Sequence, residues 1–269
     1  MKIIDQIHRV LNFKETPKRI ISLVPSQTEL LCDLGLEFLL IGVTKFCVHP
    51  HHIKANATVV GGTKKINLDR IKKLRPDIIL CNKEENTKEI VEACASICTV
   101  HVSDIYTIND SLKLISQYGS IFNVTTKASI LISEIKKEIE CFNDFIKDAQ
   151  VVNVAYFIWK NPWMVAANNT FINYLLKLNK FNNVYATKTR YPEVELSKTN
   201  PENGVDLVLL SSEPFPFKKS HIAEAQVYYP NARIITVDGE MFSWYGSRLI
   251  KAFLYFKNLH LSLQNSQPY

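Results

Sequence analysis

The middle of the chain carries a long helical pattern that neither glycine nor proline interrupts. Between Thr125 and about Ile146, apolar residues recur near helical spacing with lysine and glutamate between them: Ile130, Ile132, Ile135, Ile139, Phe142, Phe145 and Ile146. A helix of this length spans about 30 Å. We therefore expect one rigid helix to join two separately folded halves.

Both halves alternate short apolar runs with helical segments. The first half predicts strands at Arg19–Val24, Leu40–Thr44, Asp77–Cys81 and Thr99–Val102, and the second at Asn153–Trp159, Asp206–Leu210 and Arg233–Val237. Such alternation is typical of mostly parallel sheets. We predict an α/β fold of two Rossmann-like lobes: residues 1–123, a bridging backbone helix over 124–150, and residues 151–269.

Composition and charge exclude several classes of protein. The chain is 46% hydrophobic and 22% charged, which fits a folded globular protein. Its apolar runs are broken well short of the roughly 20 residues that a membrane span needs, so we expect no transmembrane segment. The net charge of +6 is spread along the chain without a run of five basic residues, so we expect no nucleic-acid partner.

The cysteines and the N-terminus bear on the compartment. The six cysteines are scattered, without the dense spacing of a secreted disulfide scaffold. The first residues, from Met1 to Arg9, lack the apolar stretch of a signal peptide. These features favour a cytoplasmic protein with reduced thiols. A trimmed N-terminus would instead allow a periplasmic or cell-surface location.

Ligands of such sheets bind outside the carboxyl ends of the strands, which identifies the candidate ligand-binding residues. In the first half these are Ser26, Phe46, Cys47, Thr63, Lys64, Asn82, Lys83, Glu84 and Glu85. In the second half they are Trp159, Trp163, Arg190, Tyr191, Glu193, Trp244 and Tyr245. Ser26 also stands three residues before Glu29, the spacing of a capping box at a helix start.

Each of these motifs has a structural alternative. Cys47 and His49 could hold a metal ion, completed by Glu84 or Glu85, or they could be a packed cysteine and a polar loop histidine. The segment from Lys83 to Asn86 could contact a ligand, place acids at the positive end of a helix dipole, or do both.

The aromatic and basic candidates also have structural alternatives. All three tryptophans fall at predicted loops or strand ends of the second half, where they could form a stacking wall or pack into the core. Trp159 and Trp244 are favoured for the wall. Lys64, Arg190 and Arg248 could bind an anionic group, with solvation at the surface as the alternative, favoured for Arg248.

Several segments together resemble a known family. They are Arg19–Glu29 (RIISLVPSQTE), Gly42–Thr44, Asn67–Ile71, Leu74–Ile79 and Arg190–Pro192, in matching order and spacing. The chain resembles, over residues 17 to 260, the helical-backbone (class III) substrate-binding proteins of ABC importers for cobalamin and iron-siderophores. It looks like the branch whose members often lack a signal peptide and carry the motifs FCVHP, GGTK, NKEEN and RYPE.

The resemblance implies two lobes bridged by a helix, a ligand cleft between them and little hinge motion. It also implies an altered ligand surface. Phe46 keeps an aromatic ring where the cobalamin-binding protein has tyrosine, whereas Thr63, Asn82 and Glu193 stand where it has tryptophan, and Trp244 falls near its arginine.

Two functional hypotheses follow. The first is a solute-binding protein that holds a corrinoid such as cobalamin, a metal chelate or a similar ligand and delivers it to an ABC importer permease. We expect this protein to be a monomer that requires no cofactor. The second is a cytoplasmic enzyme or metal-handling protein that reuses the fold. The sequence lacks the nucleophile-elbow, phosphate-loop, zinc-protease and Cys-x-x-Cys motifs, which favours binding without catalysis.

Overall fold

The computed structural model describes residues 1–197 and 204–264. The chain divides into two compact units. The first unit contains Met1–Lys137 together with Tyr245–Ile250, and the second contains Glu138–Trp244 and the chain from Lys251 onward. The predicted C-terminal lobe of residues 151–269 includes residues 198–203 and 265–269, which lie outside the described part of the chain.

The first unit alternates strands and helices from its third strand onward. Its elements are β1 (Lys2–Ile4), β2 (Val10–Asn12), β3 (Ile20–Ser22), α1 (Pro25–Asp33), β4 (Leu40–Val43), α2 (Ile53–Asn56), β5 (Thr58–Val59), α3 (Leu68–Leu74), β6 (Ile78–Asn82), α4 (Lys88–Ala95), β7 (Thr99–Ser103) and α5 (Ile108–Ile121). Strands β1 and β2 form an antiparallel hairpin. The other five strands form a parallel sheet in the order β5-β4-β3-β6-β7.

The central strands of this sheet are buried on both faces, and their sequence reflects that burial. All five residues of β6 are buried, as are all three of β3. A strand buried on both faces is an uninterrupted apolar run rather than an alternating one. One core cluster joins the two strands through Ile21, Leu23, Ile79 and Cys81.

The long helix α6 (Thr125–Ile146) begins in the first unit and ends in the second, so the division between the units falls inside it. Its first turns approach α5 closely at Gly119. A Cβ atom built on Gly119 would lie 2.6 Å from the Cβ of Ala128, well inside van der Waals contact. Glycine at this position therefore allows the two helices to pack together.

The second unit has its own sheet. Its elements after α6 are β8 (Val152–Trp159), β9 (Met164–Val165), α7 (Phe171–Leu178), β10 (Phe181–Asn183), β11 (Leu207–Ser211), α8 (Lys219–Gln226), β12 (Arg233–Val237), α9 (Gly239–Ser243) and α10 (Arg248–Gln264). Strands β10-β8-β11-β12 are parallel in that order, and β9 pairs antiparallel with β8.

Aromatic packing joins α10 to the end of α6 within the second unit. The ring of Phe142 is fully buried, with its centroid 5.6 Å from that of Phe253 and 6.0 Å from that of Phe256. The predicted α/β class, parallel sheets and long helix are confirmed. No helix in the described residues is both long and apolar enough to cross a membrane.

Candidate ligand-binding site

The carboxyl ends of the parallel strands in the first unit bring three loops together. The backbone N–H of Lys45, after β4, donates to the carbonyl of Gly61 at 2.7 Å. The Nζ of Lys64 donates to the carbonyl of Glu84, after β6, at 2.6 Å. The nine candidates predicted in this half therefore lie on one edge of the sheet, as expected for parallel strands. Which of them contacts a ligand stays a prediction.

Asn82 shapes the loop that carries Glu84 and Glu85. Its Oδ1 accepts hydrogen bonds from the backbone N–H groups of Glu84 at 2.8 Å and Glu85 at 3.2 Å, an Asx-type turn. In turn, Oδ1 of Asn86 accepts a hydrogen bond from the backbone N–H of Asn82 at 2.9 Å. The side chain of Asn82 is buried, so in this structure it supports the loop while the two acids after it are half-buried.

A buried polar network lies beneath this edge. The Nε2 of Gln27 donates to Ser103 Oγ at 2.7 Å and to the hydroxyl of Tyr245 at 2.9 Å, and the hydroxyl of Tyr118 donates to Gln27 Oε1 at 2.6 Å. Burial raises the pKa of the Tyr245 hydroxyl. Tyr245 was predicted among the candidates of the second half, but it belongs to the first unit and its ring is buried there.

Phe46 presents an exposed aromatic ring at the same edge. It is 49% exposed, and the Nζ of Lys45 lies 4.9 Å from its ring centroid. Gly62 lies against the ring, since a Cβ built there would be 3.1 Å from Phe46 Cε2. Thr63 is half-buried and Lys64 is exposed beside it. Lys83 pairs with Asp104 at 2.6 Å, and this hydrogen bond raises the pKa of the Lys83 ammonium.

Cys47 is a buried packing residue. Its Sγ lies 3.1 Å from Thr28 Oγ1 and 3.3 Å from Thr44 Oγ1, and burial raises the pKa of the thiol. A metal needs the thiolate, which this environment disfavours. Within residues 1–197 and 204–264, no three His, Cys, Asp or Glu side chains are placed to share a metal ion, so the predicted site at Cys47 and His49 gains no support.

The helix start at Ser26 differs from the prediction. Helix α1 begins at Pro25 with Val24 as its N-cap and without a side-chain capping bond, so Ser26 is buried in the first turn and the predicted capping box is wrong. Glu29 instead pairs with Arg248, whose side chain is buried rather than solvated as expected. The sequence alone could not show that a residue more than 200 positions away would return to this helix.

In the second unit, the segment Arg190–Glu193 lies alongside Trp163 and the residues after it. The N–H of Ala167 donates to the carbonyl of Arg190 at 2.8 Å, and the N–H of Val194 donates to the carbonyl of Trp163 at 2.8 Å. Arg190 has a left-handed φ of 65°, and its guanidinium lies 5.8 Å from the ring centroid of Tyr191. The structure thus brings Trp163, Arg190, Tyr191 and Glu193 together.

The other two tryptophans differ in exposure. Trp159 is the last residue of β8 and is 39% exposed, whereas Trp244 is buried after α9. The indole Nε1 of Trp244 donates to Oε1 of Glu213 at 2.9 Å, and Ser243 Oγ donates to the same oxygen at 2.7 Å. Burial raises the pKa of the Glu213 carboxyl.

Glu213 lies near a strand end and was not among the predicted candidates. It stands two residues after the end of β11, so the rule that ligands gather outside the strand ends applied to it as well. Ser103 ends β7 and carried the same signal, whereas Gln27 lies inside α1 and shows its partners only in the folded chain.

The family model and the curated relatives that match this chain are all described as binding proteins. The family model described as "Periplasmic binding protein" matches residues 20–209. A vitamin B12-binding protein of Pectobacterium atrosepticum is 26% identical over 247 residues, covering 88% of this chain and 86% of that protein. An ABC transporter substrate-binding lipoprotein of Bacillus subtilis is 25% identical over 211 residues, covering 74% of this chain and 66% of the lipoprotein.

The solved structures share the fold. The periplasmic heme binding protein HutB of Vibrio cholerae superposes with a TM-score of 0.76 at 19% identity, covering 90% of this chain and 98% of that one. At this identity the likeness concerns the architecture alone.

Proposed function

Since the chain belongs to the periplasmic binding protein family, we propose that it is a solute-binding receptor for a flat, metal-bearing ring compound, a corrinoid or a heme, captured without chemistry. The names of its relatives support this class of ligand. The observation that carries the proposal is that the strand-end edge of each sheet presents one exposed aromatic ring, Phe46 in the first unit and Trp159 in the second. Exposed aromatic faces stack on flat conjugated rings.

The charge around Phe46 suits such a ligand. The amines of Lys45 and Lys64 lie at the same edge, and both side chains are exposed. Heme and corrinoids combine a flat apolar centre with polar or acidic groups at the rim. The ammonium of Lys45 over the Phe46 ring and that of Lys64 at the same edge match the acidic groups, and the exposed part of the ring matches the apolar centre.

In this proposal any metal arrives as part of the ligand. The buried Cys47 thiol is held by two threonine hydroxyls, and its raised pKa keeps it protonated. The protein then supplies surfaces rather than ligating atoms. Polar contacts come from Thr63, Lys64, Glu84 and Glu85 in the first unit and from Arg190 to Glu193 in the second.

Direct titration tests the ligand class. We expect hemin or cyanocobalamin to bind with a Kd in the micromolar range or below, which is on the order of −8 kcal/mol. Phe46→Ala and Trp159→Ala should each weaken binding about tenfold through the loss of stacking. Phe38→Ala removes a highly exposed phenylalanine of the first unit and serves as the matched control. Failure of the wild-type protein to bind either compound would reject this ligand class.

We also propose that the partner is an ABC importer permease, as the description of the Bacillus subtilis relative suggests. A receptor for an importer must meet its ligand outside the membrane that the importer spans. Fractionation of host cells should therefore find the protein in the envelope or periplasmic fraction. Finding it in the cytosolic fraction alone would rule out the importer partner while leaving ligand binding testable by titration.

A further inference from the structure

We propose that the segment Glu213–Phe217 positions the tryptophans of the second unit. Within it, Phe215 fixes the orientation of the Trp159 ring, and this ring stacks on a flat conjugated ligand. This inference rests on the proposed function and adds to it a residue that positions the stacking ring.

Alternate residues of the segment contact different tryptophans. The carboxylate of Glu213 accepts from the indole of Trp244 at 2.9 Å. The ring of Phe215 lies edge to face with Trp159, with centroids 5.8 Å apart and planes at 70°. The ring of Phe217 stacks on Trp163 at 5.7 Å and 22°. One five-residue segment therefore contacts all three tryptophans of the chain.

The segment itself is firmly held. The N–H of Phe215 donates to the carbonyl of Ile158, next to Trp159, at 3.2 Å, and Ser211 Oγ donates to the carbonyl of Glu213 at 2.6 Å. Phe215 and Phe217 contact each other with centroids 4.8 Å apart. Pro214 and Pro216 fix their own φ angles, which reduces the conformational freedom of the segment.

Burial distinguishes the ring that can meet a ligand from those that support it. Trp244 and Phe217 are buried, and Trp163 packs against the core of the second unit. Trp159 keeps 39% of its surface exposed while Phe215 packs against it. A ring held in one orientation loses little entropy when a flat ligand stacks on it, so pre-organisation raises the affinity for a ligand that stacks.

The test follows Trp159 fluorescence as the difference between each protein and its W159F counterpart, which keeps the contacts of Glu213 with Trp244 and of Phe217 with Trp163. Phe215→Leu removes the ring, Phe215→Tyr keeps it, and Phe38→Leu makes the same change at a phenylalanine that is 80% exposed. We expect Phe215→Leu to raise acrylamide quenching of Trp159 about twofold and the Kd for hemin or cyanocobalamin about tenfold, with Phe215→Tyr and Phe38→Leu close to the parent protein. Far-UV circular dichroism checks folding.

The outcomes separate the two proposals. Unchanged quenching in Phe215→Leu would overturn the positioning role, whatever the affinity. Raised quenching with an unchanged Kd would overturn the role in ligand affinity. If the wild-type protein binds neither compound, the proposed function fails for this ligand class, and the quenching result alone still decides whether Phe215 positions Trp159.

Discussion

The guanidinium Nε of Arg248 donates to Oε2 of Glu29 at 2.8 Å, and the two side chains are only 4% and 5% exposed. Arg248 opens α10, whereas Glu29 lies in α1, so this pair ties residues 245–250 to the first unit. We expect Arg248→Met to lower the free energy of unfolding by about 3–5 kcal/mol, because it leaves a buried carboxylate without its charge partner. Urea denaturation measures this directly.

Two further variants test the same contact. The double variant Glu29→Met/Arg248→Met should recover most of the lost stability, since no uncompensated buried charge remains. The exposed pair Lys88 and Glu92 in α4 is the control, and Lys88→Met should cost less than about 1 kcal/mol. A loss in Arg248→Met as small as that control would contradict the structural role of the buried pair.

Acid should destabilise the first unit through His101. This side chain is fully buried on β7, its Nε2 lies 3.0 Å from Gln117 Oε1, and burial lowers the pKa of the imidazole to about 4. Asp5, Arg9 and the ring of Tyr118 are its other neighbours. Between pH 4 and the ordinary histidine pKa of 6.5, the unfolded chain binds the proton more readily than the folded one. Stability is therefore present above pH 6.5 and lost as the pH falls towards 4.

The size of this effect is on the order of 3 kcal/mol across that interval. Denaturation at a series of pH values should show a steeper acid loss in the wild-type protein than in His101→Gln, which cannot titrate. His260, whose pKa is also lowered by burial, is present in both proteins and cancels in the comparison. Parallel pH profiles would show that His101 does not contribute.

Asn82 should control the order of the loop after β6. Asn82→Ala removes the acceptor for the N–H groups of Glu84 and Glu85, so we expect faster hydrogen exchange at these two amides. The lost bonds should cost about 1–3 kcal/mol of stability. Asn82→Asp keeps an acceptor oxygen and should retain protection at both amides while losing the Nδ2 donation to the Ser103 carbonyl. Equal exchange in both variants would argue against the Asx-type turn.

Gly119 should resist substitution although alanine is the better helix former. A Cβ there would lie 2.6 Å from that of Ala128, so Gly119→Ala should lower the free energy of unfolding by about 1–3 kcal/mol. Ser120→Ala, at the exposed neighbouring position of α5, should leave stability unchanged or slightly raised. Combining Gly119→Ala with Ala128→Gly should restore stability, and thermal unfolding distinguishes these cases.

The placement of the candidate residues was predictable where it depends on strand ends and unpredictable where it depends on hydrogen-bond partners. Phe46, Lys64 and Trp159 follow from the position of ligands at parallel sheets, and the structure places each at such an edge. Asn82 was identified by the same rule, yet its side chain turns inward to hold the loop. Side-chain direction depends on the hydrogen bonds that a residue finds, and those come from distant segments.

Local pattern by itself determined the elements of this protein. Apolar runs and helical spacing are properties of neighbouring residues, so the strands β3, β6 and β11 and the uninterrupted helix α6 were evident without coordinates. Only the tertiary structure decided where adjacent residues go. Trp244 donates to Glu213 in the second unit, whereas the next residue, Tyr245, accepts from Gln27 in the first. Long-range hydrogen bonds and burial select these partners, and a linear sequence pattern does not encode them.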